Sequence, residues 1–211
     1  MRSMKIKIYD IFLWILSVLM IIGVFFLPDT IPVHWNIQWE VDGFGSRYLF
    51  LVFALLPIFT YYGMLVTKKI DPKKIKIEER EKTYDLMRRI LSIFFILLYV
   101  FFYYLTLYPD AKLQNLLFLI FGFLFIATGN YFPKMPQNFF LGVKTAWTLS
   151  DEYVWKKTHQ FAGYVFVFGG IIIFIIGLLN PPYAFVYFFG SIIICSLFPI
   201  IYSYIIYRKR G

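Results

Sequence analysis

The chain has 211 residues, of which 60% are hydrophobic and 16% charged, and a formal net charge of +9 with a mean hydropathy of +0.70. No water-soluble core can absorb that much apolar surface, since soluble domains carry about a quarter charged residues. One cysteine, Cys195, rules out an intrachain disulfide and a cysteine metal cluster.

Crossing a hydrocarbon layer of roughly 30 Å takes about 20 predominantly apolar residues in a helix. Six uncharged runs approach that length: 11–27, 48–66, 90–107, 113–132, 161–179 and 183–207. They predict an all-α integral membrane protein, a single domain of six transmembrane helices over residues 1–211. The first run follows Arg2, Lys5 and Lys7 as a signal peptide would, but only Leu27-Pro28-Asp29 follows it in place of a small-residue cleavage site, so it reads as an uncleaved helix.

Short loops rich in Lys and Arg are retained in the cytoplasm. With six spans and an inner N-terminus, the inner segments hold the basic residues at 2, 5 and 7, nine more between runs two and three, Lys134, Lys144, Lys156 and Lys157, and Arg208, Lys209 and Arg210. That is 19 of the 21 basic residues, with only Arg47 and Lys112 left outside. Both termini are therefore expected in the cytoplasm. The same asymmetry accounts for the positive charge without nucleic acid, and it brings attraction to anionic lipid with it.

After the first run, residues 28–47 form an outer segment dense in polar anchors: His34, Trp35, Asn36, Glu40, Asp42, Ser46 and Arg47. Asp42-Gly43 predicts a tight turn, and Trp35 and Trp39 suit the headgroup level. One histidine without paired-ligand spacing does not build a metal site with Asp29, Glu40 and Asp42. Two readings stay open, an interfacial loop held by tryptophans and a surface that recognises an extracellular ligand; aromatic and charged side chains anchor such surfaces.

The basic loop 67–89 carries Asp71-Pro72 and then Glu78-Glu79-Arg80-Glu81-Lys82, whose helix propensity predicts a helix extending inward from the third span. It reads as a solvated cytoplasmic loop or a partner-binding surface. The links 108–112 and 180–182 are too short for structure of their own and turn adjacent helices back on each other.

The inner segment 130–160 is the second polar concentration. Pro133 and Pro136 stop the fourth span, and Asn138 to Gly142 offer an apolar patch between turn residues, read as a re-entrant or interface-lying piece. Thr148 precedes Asp151 by three positions, a capping-box-like signal that predicts a helix from about residue 149. On that helix Asp151, Trp155 and His159 recur at i, i+4 and i+8 and share a face. The stripe reads as a buried polar contact against the proline-containing turn. No nucleophile–base–orienter set is evident, and Ser150 beside Asp151 is a weak signal because triads are defined in space.

Taken together, Asn130 to Lys134, Asn138, Gly142-Val143-Lys144-Thr145, Trp147-Thr148-Leu149 and Trp155-Lys156-Lys157-Thr158-His159 resemble the SdpI family of bacterial membrane immunity proteins. The outer Ile31 to Asn36, Asp42-Gly43 and Ser46-Arg47 resemble the N-terminal membrane domain that accompanies that motif, so the resemblance covers essentially the whole chain. It departs where the family often has glycine at Trp39, Ile-Arg at Val143-Lys144 and proline at Ala146. The resemblance implies a non-enzymatic protein, without cofactor, that protects its cell from a secreted peptide toxin and, as in the founding member, captures a cytoplasmic transcriptional repressor. Its implied ligand residues are His34, Trp35, Asn36, Asp42, Ser46 and Arg47 outside. Inside, the implied partner or structural residues are Asn130, Pro133, Asn138, Gly142, Lys144, Thr145, Trp147, Thr148, Trp155, Thr158 and His159. Two other classes remain, a small-solute transporter or channel and a membrane enzyme at the inner face. Coupled transport is disfavoured because intramembrane charge marks most ion pathways, and the six runs contain no Asp, Glu, Lys, Arg or His.

Overall fold

In hydrocarbon every backbone polar group must be paired within the protein, which leaves helices for the apolar runs. The computed structural model describes residues 8–109, 111 and 113–210. Its helices are α1 (Ile8–Val24), α2 (Phe50–Ile70), α3 (Lys74–Glu79), α4 (Glu81–Leu107), α5 (Gln114–Tyr131), α6 (Ala146–Ser150), α7 (Glu152–Leu179) and α8 (Ala184–Arg208). Five of them are long and apolar enough to cross a membrane, and α1 is a shorter apolar helix of 17 residues. The protein is thus a multi-pass, helical membrane protein. The basic tail at residues 2–7 and Lys112 lie outside the described residues.

Two departures from the expected loops matter. Residues 30–46 are an antiparallel hairpin, β1 (Thr30–Trp35) paired with β2 (Val41–Ser46), where a loop was expected. Its turn is not at Asp42-Gly43, because Gly43 sits in β2 opposite His34. Asn36 takes the turn instead: its Oδ1 accepts from the backbone N–H groups of Gln38 and Glu40, and Trp39 adopts a left-handed φ of 66°. The inward helix is also interrupted. Arg80 separates α3 from α4, with a φ of −118° and ψ of 29°.

The chain forms two compact units. The first runs to Gly63 and resumes from Leu91 to the 108–112 link, and the second comprises Met64–Ile90 with Leu113 onward. In the first unit, Met20, Val24, Leu27, Ile31, Phe50, Ala54 and Tyr99 make a buried core. The Tyr99 hydroxyl donates to the Met20 carbonyl at 2.6 Å, closing α4 against α1.

In the second unit α5 and α7 touch backbone to backbone. A Cβ built on Gly170 would lie 2.7 Å from the Ile126 nitrogen, and one on Gly122 would lie 2.8 Å from the Phe174 nitrogen. Lipid tails are as apolar as leucine, so helices associate in the bilayer through such close packing. Below this seam, Ile77, Tyr84, Met87, Phe132, Met135, Trp155 and Ala162 form a second core.

Candidate functional sites

The hairpin carries the first set of predicted residues. His34 Nδ1 and Asp42 Oδ1 are 2.5 Å apart across the strands, with the two side chains 69% and 45% exposed. The pair stands open to solvent, as a contact surface requires. Gly43 makes room for it, since a Cβ there would come 2.9 Å from the His34 Cβ. Trp35 and Trp39 stack at 5.7 Å and 20°, and they rest on Phe102 and Phe101 of α4. Asn36 is used in the turn, where its Nδ2 donates to Glu40. Ser46 caps the short 3-10 turn that leads into α2. Arg47 ties the base of the hairpin, donating to the Leu27 carbonyl at 3.0 Å and pairing with Asp29 at 3.2 Å. Of the six, His34 and Asp42 are therefore the polar pair presented outward, while Asn36, Ser46 and Arg47 build the frame.

The second set surrounds an irregular stretch between α5 and α7. Phe132 to Lys134 form one 3-10 turn with Pro133 inside it, so the helix stops where the prolines predicted. Asn138, fully buried, then organises the turn with all of its polar capacity: Oδ1 accepts from the N–H groups of Phe140 and Leu141, and Nδ2 donates to the carbonyls of Pro136 and Leu141. A left-handed Gly142, φ 113°, sends the chain past His159. A Cβ on Gly142 would run into the His159 Nε2. That nitrogen accepts the Val143 N–H at 3.1 Å while Nδ1 faces the Trp155 carbonyl at 2.9 Å. Donation by Nδ1 and acceptance by Nε2 define the neutral ring.

Trp155 stacks on His159 at 3.9 Å and 21°, and its indole N–H donates to the Met135 carbonyl. The predicted shared face is real for these two residues. Asp151 has a different task from the one expected. The capping box is formed by Thr145 and Thr148, which bond reciprocally across the first turn of α6. Asp151 ends α6 and caps α7, its Oδ1 accepting from Tyr153 and Val154, and it pairs with Arg210 at 2.7 Å. The extended φ and ψ at Asp151 break the single helix predicted from residue 149.

Other predicted residues are distributed around this turn. Thr145 meets Ser203 of α8 at 3.1 Å, and Trp147 packs on Tyr204. Lys144 is exposed, its ammonium donating to the Phe140 carbonyl. The Thr158 hydroxyl is buried with no hydrogen-bond partner among the described residues. Asn130 donates to its own helix at Ile126 and, with Pro133, lines an open apolar cavity of about 770 Å³ between α5, α7 and α8.

Sequence reasoning missed the residues that fasten the turn to the 67–89 loop and to α6. Asp71, 2% exposed, accepts from the N–H groups of Lys73 and Phe139, and Gln137 donates to the carbonyls of Thr148 and Leu149. Lys73 donates to the Leu149 carbonyl and lies over the Phe139 ring. Burial draws its ammonium below the ordinary lysine value, helped by Lys76 and opposed by Glu152 and Asp71. Lys76 itself pairs with Glu152. An aspartate just before a proline was the available signal, but its partner is 68 residues away.

The pattern of the SdpI/YfhL protein family matches residues 134–203, and that of a domain of unknown function, DUF1648, matches residues 11–60. The first match falls in the second compact unit, and the other in the first. The chain is 26% identical over 210 residues, 98% of each chain, to the immunity protein SdpI of Bacillus subtilis strain 168. No solved structure matches.

Proposed function

We propose, from the premise that this chain belongs to the SdpI/YfhL family, that it is an immunity protein protecting its cell from a secreted antimicrobial peptide. The observation that carries the reading is the whole-length match to an immunity protein, which takes in the hairpin and the Asn138–His159 turn together. The hairpin is the toxin-facing element in this reading. It sits in the segment that the Lys and Arg distribution assigns to the outer face, and it presents the hydrogen-bonded pair His34 and Asp42 on a rigid aromatic base. The action is stoichiometric and non-enzymatic, with both termini cytoplasmic and six helices spanning.

The cytoplasmic element in the same reading is the far part of the turn, from Thr145 to Asp151, where a repressor would be held. Its support is positional: Asp71, Asn138 and His159 give it a fixed shape, as a recognition surface needs. Sensitive bacteria expressing the chain, challenged with a panel of secreted membrane-active peptides from related bacteria, should survive at least one of them better than cells with empty vector. Equal killing across the panel would sink the proposal. Solute flux in proteoliposomes would favour the transporter reading instead.

A further inference from the structure

Beyond protection, the second unit carries a surface of a definite chemical kind. The Asn138 turn spends its polar groups internally and leaves Phe139 and Phe140 40% and 39% exposed, side by side. Cations flank them: the Lys73 ammonium lies 5.6 Å from the Phe139 ring centroid, and exposed Lys144 binds the Phe140 carbonyl. The segment fastened to them through Asp71 adds exposed Lys69 and Lys74 and exposed Ile70 and Ile75. Three carboxylates of this region are engaged elsewhere, Asp71 with two backbone N–H groups, Glu152 with Lys76, and Asp151 with the α7 N-terminus and Arg210, while Glu78 and Glu79 stay exposed at the far end of α3.

The depth of this surface is set by its partners. Gly142 and Val143 lie against His159, two residues before the uncharged run of α7 begins, and Phe132 packs on Phe166 within that run. The turn therefore lies at the level where the apolar helix meets the headgroups. Apolar rings ringed by lysines, held rigidly at that level, match a bilayer surface that is apolar beneath and anionic above.

We infer that Phe139, Phe140, Lys73 and Lys144 form an anchor that inserts its two rings beside anionic phospholipid, with the lysines on the lipid phosphates. Charge complementarity selects this occupant over a soluble protein, because the lysine donors left over point to phosphate and the rings have a hydrocarbon layer adjacent to them.

Cys195 is the only cysteine, so site-directed labelling is clean. In a Cys195→Ser background, Phe140→Cys and, as a solvent-facing reference, Ser150→Cys would carry a nitroxide. The full-length protein would be reconstituted in phosphatidylcholine alone or mixed with phosphatidylglycerol. The label at 140 should become accessible to oxygen and protected from a water-soluble nickel relaxant, more so with phosphatidylglycerol, and Lys144→Gln should reduce that difference. The label at 150 should stay aqueous in both, and unchanged helix content certifies the fold; for any variant that fails it, Phe139→Cys replaces Phe140→Cys. A label at 140 that is aqueous in both bilayers overturns the inference and leaves the face to a protein partner. Equal burial in both overturns the lysine–phosphate contact on which the anchor depends.

Discussion

The imidazole of His159 accepts the backbone N–H of Val143 at 3.1 Å across a glycine that has no room for a side chain. This bond holds the stretch between Asn138 and α6 against α7. Because the ring also stacks on Trp155, His159→Ala removes a buried aromatic contact and orphans an N–H together, at a cost of about 2–4 kcal/mol. His159→Gln, whose carbonyl oxygen can accept the same N–H, should recover part of that. Thermal unfolding of the purified variants in detergent checks both.

Gly142→Ala attacks the same bond from the other side. The new methyl group meets the His159 Nε2, and the left-handed backbone is strained for any side chain. A loss of about 2 kcal/mol or more is expected, from left-handed strain of about 1–3 kcal/mol plus the broken contact. Gly63→Ala is the control. Nothing lies within 4 Å of a Cβ there, so helix propensity should make it stabilising by up to about 1 kcal/mol.

Asn138→Ala leaves the N–H groups of Phe140 and Leu141 without their acceptor, and about 2–4 kcal/mol should be lost. Asn138→Asp keeps that acceptor but turns an oxygen toward the Pro136 and Leu141 carbonyls, so it should rescue little. Limited trypsin cleavage after Lys144, faster in both variants, would show that the turn has come loose.

The helices were legible because an uncharged run in lipid has one solution, and all six runs overlap a helix. The stop at Pro133 and the Trp155–His159 face were legible for the same reason, being set by local geometry. The hairpin was hidden: Asp42-Gly43 carries the stronger turn signal, but Asn36 pins the backbone two and four residues on, and Gly43 is spent making room for His34. Thr148 and Asp151 have capping chemistry, yet Thr145 takes the cap of α6 and frees Asp151 to start α7. Asp71 was invisible because no local pattern announces an acceptor for an N–H at Phe139.

Trp39 occupies a left-handed position, φ 66°, where the resembling family often has glycine. Trp39→Gly relieves strain of about 1–3 kcal/mol while losing the stack on Trp35, worth about 0.5–1.5 kcal/mol beyond its buried area. The two act in opposite directions, so Trp39→Gly should lose less stability than a truncation that keeps the strain. Trp39→Ala loses the stack and keeps the strain, and it should unfold at clearly lower temperature than Trp39→Gly. Equal melting of the two would show that the backbone at Trp39 is unstrained.

At the hairpin, stability and protection should separate. His34 and Asp42 are too exposed for their pair to contribute more than about 1 kcal/mol to folding, so His34→Ala and Asp42→Ala should melt within a few degrees of the native chain. If the pair meets the toxin, both should nonetheless abolish survival in the peptide challenge. Gly43→Ala should do the same with both side chains present, because its methyl group displaces the His34 side chain. Full protection by all three variants at matched membrane abundance would remove the hairpin from the toxin contact and move the search to the ends of the helices.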